Sequence, residues 1–332
     1  MAYTVLADVI QPVIYDKYVR EQTIYKNEFI RAGIVKVDSG ISTKLAQGNK
    51  TFNVPFWKDL TNDDEVPRED ADLTAYNITA DKSIGVKQWR SARWGANAFS
   101  AQLSGSTPAQ AIAAYEIDWW NRKMQANLIS LIRGVIADNV ANDSSDLVKD
   151  ISIEDGNNAT SANLVSSDSI IDANFLFGDS YNDITAIAMH SNILKRLIKA
   201  NLIDFEKTSD QSMTIQKFMG RTVIVDDNIY TPAGSTSGYK YWSILFKAGA
   251  ILYGDTTEGY VSTEIDRDPN RGGGIDYLYS QRVFCYHPQG FKWLGGTLTY
   301  EYPTNANLTA ANNWDRVYNK KNCGFCILIT NG

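Results

Sequence analysis

The amino-acid sequence predicts an α+β fold, and three observations carry that prediction. Apolar residues recur at helical spacing from residue 107 to residue 140, with no proline between 109 and 140. Residues 51–94 alternate in the period of extended strands. A strand–helix–strand unit at 184–225 then leads into a final third that reads mostly as strands.

The elements follow in chain order. Residues 1–35 read as an amphipathic helical arm, with Val5, Val9, Val13 and Ile14 near helical spacing and Pro12 interrupting them. In 51–57, Phe52, Val54 and Phe56 share one face of a strand, and Pro55 confines it to an edge because proline donates no ladder hydrogen bond. Tyr76, Ile78, Ile84 and Val86 mark a second extended stretch reaching to Trp94, so 51–94 is expected to be a long hairpin with a polar tip. Thr107-Pro-Ala-Gln110 reads as a helix start, with threonine at the cap and proline at the first helical position. Ile117, Trp120, Met124, Leu128, Leu131 and Val135 continue that helix on one face. A helix of about 32 residues is about 48 Å long, which suits a mechanical spine.

Residues 144–168 are rich in Ser, Asn and Asp and read as surface loops or a junction. Ile184–Met189 is a buried strand, Ser191 is the expected cap of a helix over 192–202, and Thr222–Val225 is the strand that ends at Asp226-Asp227. Strands are expected at 241–246, 249–253, 275–286 and 325–329, with turns at 268–274 and 287–290. There is no internal repeat.

Charge sharpens one segment. The chain has 332 residues and a net charge of −6, from 32 basic and 38 acidic side chains. Seven of the acids and a single base, Arg68, fall within 59–72, so the remainder is balanced at 31 of each sign. The whole excess sits on one expected loop tip, carried mainly by Asp63, Asp64, Glu65, Glu69 and Asp70. Such a run is either a solvated loop or a surface that docks on a basic neighbour. Lys87, Arg90 and Arg93, set around Trp89 and Trp94, are the candidate basic patch. The run lacks the ligand and glycine spacing of a calcium loop.

Enzyme chemistry finds little material. There are two histidines, His190 and His287, and no serine-hydrolase elbow, phosphate-binding loop or zinc-protease motif. Asp226/Asp227 and Glu264/Asp266/Asp268 are the acid groups a hydrolase would use, although strand-end acids are usually solvated. Cys323 and Cys326, with Cys285 and His287, add up to four zinc donors of poor spacing in apolar strands. Three cysteines do not make a disulfide framework, and a reducing compartment fits them. The N-terminus lacks a secretory pattern, no stretch reaches the roughly 18 apolar residues of a membrane span, and the charge balance gives no strong field for nucleic acid.

The order of parts resembles the tailed-phage major capsid proteins, which have the Hong Kong 97-type capsid fold. The local stretches that carry the likeness are Ile187-Ala-Met-His-Ser191, Val223-Ile-Val-Asp-Asp227, Glu264-Ile-Asp-Arg-Asp268 and His287-Pro-Gln-Gly-Phe-Lys-Trp293. The resemblance implies an N-terminal arm at 1–50 and an extended loop at 51–94 that overlies a neighbouring subunit. It implies a peripheral domain at 95–144 with its spine helix at 107–140, an axial domain at 145–256, and a return to the peripheral domain at 257–332. It further implies a non-enzymatic, cofactor-free shell protein of the virion, assembled in the host cytoplasm from hexamers and pentamers of itself. The expected partners are a separate scaffolding protein, a portal, a cementing protein, and packaged double-stranded DNA held by weak contacts; no membrane is involved. The lysine–asparagine cross-link of some members matches no position here. A cargo compartment of the encapsulin type, built on the same fold, and a carboxylate-dependent hydrolase with the acid tip and Asp226/Asp227 lining a cleft are the competing readings.

Overall fold

A computed structural model describes residues 29, 32–60, 63–70, 72–98, 108–207, 214–270, 273–296, 298 and 300–332. The helix expected over most of 1–35 and the Thr107 cap lie outside these residues.

The described chain begins with β1 (Val35–Val37), α1 (Ser39–Ala46), β2 (Thr51–Trp57), β3 (Ala80–Val86) and β4 (Gln88–Asn97). The long helix α2 (Pro108–Asn142) follows, then β5 (Val148–Asp150), α3 (Ser167–Asn174), β6 (Ile184–Met189) and α4 (Ser191–Lys199). Next come β7 (Asp204–Lys207), β8 (Thr214–Phe218), β9 (Arg221–Val225), β10 (Tyr241–Lys247) and β11 (Ile251–Thr256). The last elements are β12 (Thr263–Asp268), β13 (Ile275–Pro288), β14 (Phe291–Trp293), α5 (Asn305–Thr309), β15 (Trp314–Arg316) and β16 (Phe325–Thr330).

α2 forms where the periodicity places it. Its six marker residues, Ile117 through Val135, are all buried, together with Ile132 and, just beyond them, Ile136. Each such side chain removed from water contributes about 1.5–3 kcal/mol. A side chain in its last turn ties down the chain that follows. Asn139 accepts from the Leu147 N–H (3.1 Å) and donates to Asp146 (2.8 Å), while Ser144 and Ser145, both at φ 57°, turn the chain away.

Two sheets flank this spine. The five-stranded sheet runs β1-β11-β13-β12, with β4 on the opposite edge of the long β13. The seven-stranded sheet runs β5-β16-β10-β6-β9-β8-β7, and β6 and β9 are parallel across the connection that contains α4. The pairing cuts across the boundary expected at 256/257. β11 joins the five-stranded sheet with β13, whereas β16, the last strand, returns to the seven-stranded sheet between β5 and β10. The reason is hydrophobic: Phe325–Thr330 is buried along its whole length, so it is covered by neighbours on both faces.

Two further expectations shift. The α4 cap is His190, whose Nδ1 accepts from the Asn192 N–H (3.1 Å); Ser191 is already the first helical residue, and its N–H donates to Asp227 (3.0 Å). The hairpin closes at β2 and β3, paired from Thr51↔Val86 to Trp57↔Ala80, and does not extend to residue 94. From Gln88 onward the chain is instead the edge of the five-stranded sheet, paired with β13 over ten residues.

Candidate functional site

The hairpin leads into an extended span without regular structure. One backbone bond, from Lys58 N–H to Thr79 C=O (2.9 Å), closes the ladder. Beyond it, no backbone–backbone hydrogen bond joins the described residues between 59 and 78. Trp57, Leu60, Val66, Leu73, Tyr76 and Ile78 are exposed along it, Val66 at 82%. The six predicted tip residues, Asp63, Asp64, Glu65, Arg68, Glu69 and Asp70, lie on this span and are all exposed. Only Glu65 is organised: it accepts from the Thr74 N–H (3.1 Å) and the Tyr76 hydroxyl (2.9 Å), and these bonds lower its pKa.

The base of the hairpin is fixed to the body by a buried relay. Ser83 on β3 has one hydroxyl proton and donates it to the Phe291 carbonyl (2.6 Å), so it accepts from His287 Nε2 (2.9 Å). Burial, reinforced by Lys44, pushes the His287 pKa down to about 4, which keeps the imidazole neutral with its proton on Nε2.

The predicted basic patch is not one surface. Arg90 and Arg93 point to opposite faces of β4, as residues three apart on a strand must. Lys87 donates to the Leu45 carbonyl (2.6 Å), and the Arg93 guanidinium lies 3.7 Å from the Tyr277 ring centroid. Arg90 faces α2 and α5 and donates to Asn305 Oδ1 (3.1 Å). There it lines a cavity of about 160 Å³ with Trp119, Lys123, Asn127 and Asn305. Lys123 stands one turn after Trp119 on α2, a spacing visible in the sequence, but Asn305 reaches the cavity only through the tertiary fold.

The residues considered for other chemistry serve local structure. Asp226 accepts from Gln125 on α2 (2.5 Å) and from the Asn228 N–H (2.9 Å), and Asp227 holds the start of α4. The four potential zinc donors are dispersed. Cys285 packs against Ile41 and Leu45, Cys326 donates to the Ala173 carbonyl (3.4 Å), Cys323 to the Asn319 carbonyl (3.6 Å), and His287 is engaged as above. Burial raises all three thiol pKa values, that of Cys323 to about 12. No cluster suited to a metal ion occurs among the described residues, and no helix among them is long and apolar enough to cross a membrane.

Comparison with known proteins gives concordant results. Residues 40–325 match the family model described as Major capsid protein 13-like. The chain is 32% identical over 323 residues to the major capsid protein of Bacillus phage SPP1, covering 97% of this chain and 96% of that one. The cyanophage Pam1 capsid superposes with a TM-score of 0.55 at 8% identity, over 90% of this chain and 88% of that chain. The capsid of Ralstonia phage GP4 superposes with a TM-score of 0.50 at 8% identity, over 90% and 87%. At such identities the structural likeness is one of fold.

Proposed function

The chain belongs to the Gp13-like family of tailed-phage major capsid proteins, and from that premise we propose that its extended span, residues 58–79, is the limb by which one copy grips the next. The fold is the Hong Kong 97-type capsid fold, and the protein builds the shell of the virion from many copies of itself. In this reading α2 and the two sheets are the rigid tile. The five-stranded sheet and α2 form the peripheral part, and the seven-stranded sheet forms the axial part around capsomer centres.

The observation that carries the reading is the state of the limb: its backbone lacks ladder partners among the described residues while its large apolar side chains are exposed. An extended stretch with free backbone groups and a row of exposed apolar side chains is a template for pairing with another chain. A second copy supplies it, and the acids of the tip give the contact its direction.

Hexamers and pentamers demand slightly different contacts from one chain, which limbs meet at adjustable angles while the tile stays fixed. Weak contacts then sum through multivalency. A separate scaffolding protein, a portal and a cementing protein complete the assembly, and a body without a basic excess holds packaged double-stranded DNA loosely. The subunit works as a structural part with no turnover.

The test is the variant Asp63→Asn/Asp64→Asn/Glu65→Gln/Glu69→Gln/Asp70→Asn. It is expected to lower particle yield while leaving the melting of the unassembled subunit unchanged. An unchanged yield contradicts the docking role.

A further inference from the structure

We infer that the cavity beneath α2 receives an acidic side chain from the limb of a second copy. This rests on the proposed docking of the limb and fixes where on the neighbour it lands. The cavity lies between β4, α2 and α5, and none of the residues lining it is a carboxylate. Some cations of the body have an acid partner, as Lys58 has Asp81, Lys240 has Glu154, Lys292 has Asp315, and Arg316 has Asp143 and Asp146. Among the described residues Arg90 and Lys123 have none. Arg90 is half-buried and donates to the neutral Asn305 Oδ1, and the Lys123 ammonium lies 5.5 Å from the Trp119 ring centroid.

Asn127 is 2% exposed and donates through Nδ2 to the same Asn305 oxygen (3.2 Å), so the two amides are engaged with each other and the two cations face no charged partner among the described residues. An Asp or Glu side chain supplies one: its carboxylate lies between Arg90 and Lys123. Trp119 supplies an apolar wall for the methylene stem. Asp63, Asp64, Glu69 and Asp70 are exposed and make no hydrogen bond or ion pair with the described residues, so they are free to serve. The volume suits one acidic side chain, which makes this a point of registry within the larger contact.

A double-mutant cycle in the full-length chain tests the inference. The pocket variant is Arg90→Gln/Lys123→Gln, and the limb variant is the fivefold neutralisation above. Each alone is expected to raise the subunit concentration needed for half-assembly by about tenfold, equivalent to about 1.4 kcal/mol, and the two combined are expected to raise it no further. If the limb variant is impaired and the pocket variant assembles normally, the cavity is the wrong receptor and limb docking stands. If the limb variant assembles normally, limb docking fails and the cavity assignment with it. Fully additive losses also overturn the assignment. Should the Arg90 change disturb folding, Lys123→Gln alone repeats the cycle from an exposed position.

Discussion

Gly134 stands in the middle of α2, where glycine is ordinarily unfavourable by up to about 1 kcal/mol relative to alanine. A Cβ there would meet the Leu308 carbonyl oxygen at 1.8 Å and Trp314 Nε1 at 2.6 Å. These two groups are hydrogen-bonded to each other (2.8 Å), so neither yields without losing its partner. Gly134→Ala is therefore expected to destabilise the subunit by about 1–3 kcal/mol or more, read as a lower melting temperature. Four residues on, Asp138 is fully buried, with Oδ1 held by Asn142 (2.7 Å) and Oδ2 without a donor. Burial raises its pKa to about 6; Asn142 and Arg316 oppose the rise, and Asp143 and Asp315 add to it. A carboxyl whose folded pKa lies above its unfolded value favours folding most at low pH, and that contribution is lost as pH rises through about 6. Asp138→Asn is expected to raise the melting temperature near about pH 7.5 and to make little difference near about pH 4, where the acid is protonated anyway. Melting curves across that range check the sign. Neither residue announces itself in the sequence. Periodicity marks the buried stripe of α2, but the glycine under a carbonyl and the buried acid depend on what packs there from Leu308, Trp314, Asp315 and Arg316, far along the chain.

At the scale of elements, the helix is the most legible part because its period persists over many turns. Leu128 lies at its centre and is fully buried. Leu128→Pro removes an internal hydrogen bond and the core side chain together, at about 3 kcal/mol or more for the backbone alone, and is expected to abolish folding. Recovery of normal shells from that variant contradicts the spine. The hairpin was legible in kind and not in extent. Alternation runs on from Ile84 through Trp94, so nothing in the pattern shows that the strand exchanges β2 for β13 after Val86. For the same reason local spacing groups the basic residues into one patch, although the pleat sends Arg90 and Arg93 to opposite faces. The relay that anchors the hairpin joins Ser83 to residues more than 200 positions away, beyond the reach of local patterns. Ser83→Ala leaves the Phe291 carbonyl and the His287 N–H unpaired in the interior. It is expected to cost about 1–3 kcal/mol and to loosen the limb, which proteolysis near residues 80–86 detects.

For the molecule as a whole, the acid excess of 59–72 was legible as arithmetic, and the fold gives it meaning by placing it on an exposed limb beside a balanced body. Which surface the limb meets is not legible, because the proposed receptor is made from a strand and two helices that only the tertiary fold brings together. The central claim is that the limb gains its missing partners from an adjoining copy. Hydrogen exchange of the amides of residues 58–79, compared between unassembled subunits and assembled shells, measures this directly. Fast exchange in the subunit and strong protection in the shell is the predicted result. Equally fast exchange in both states, with the shells intact, would contradict the account.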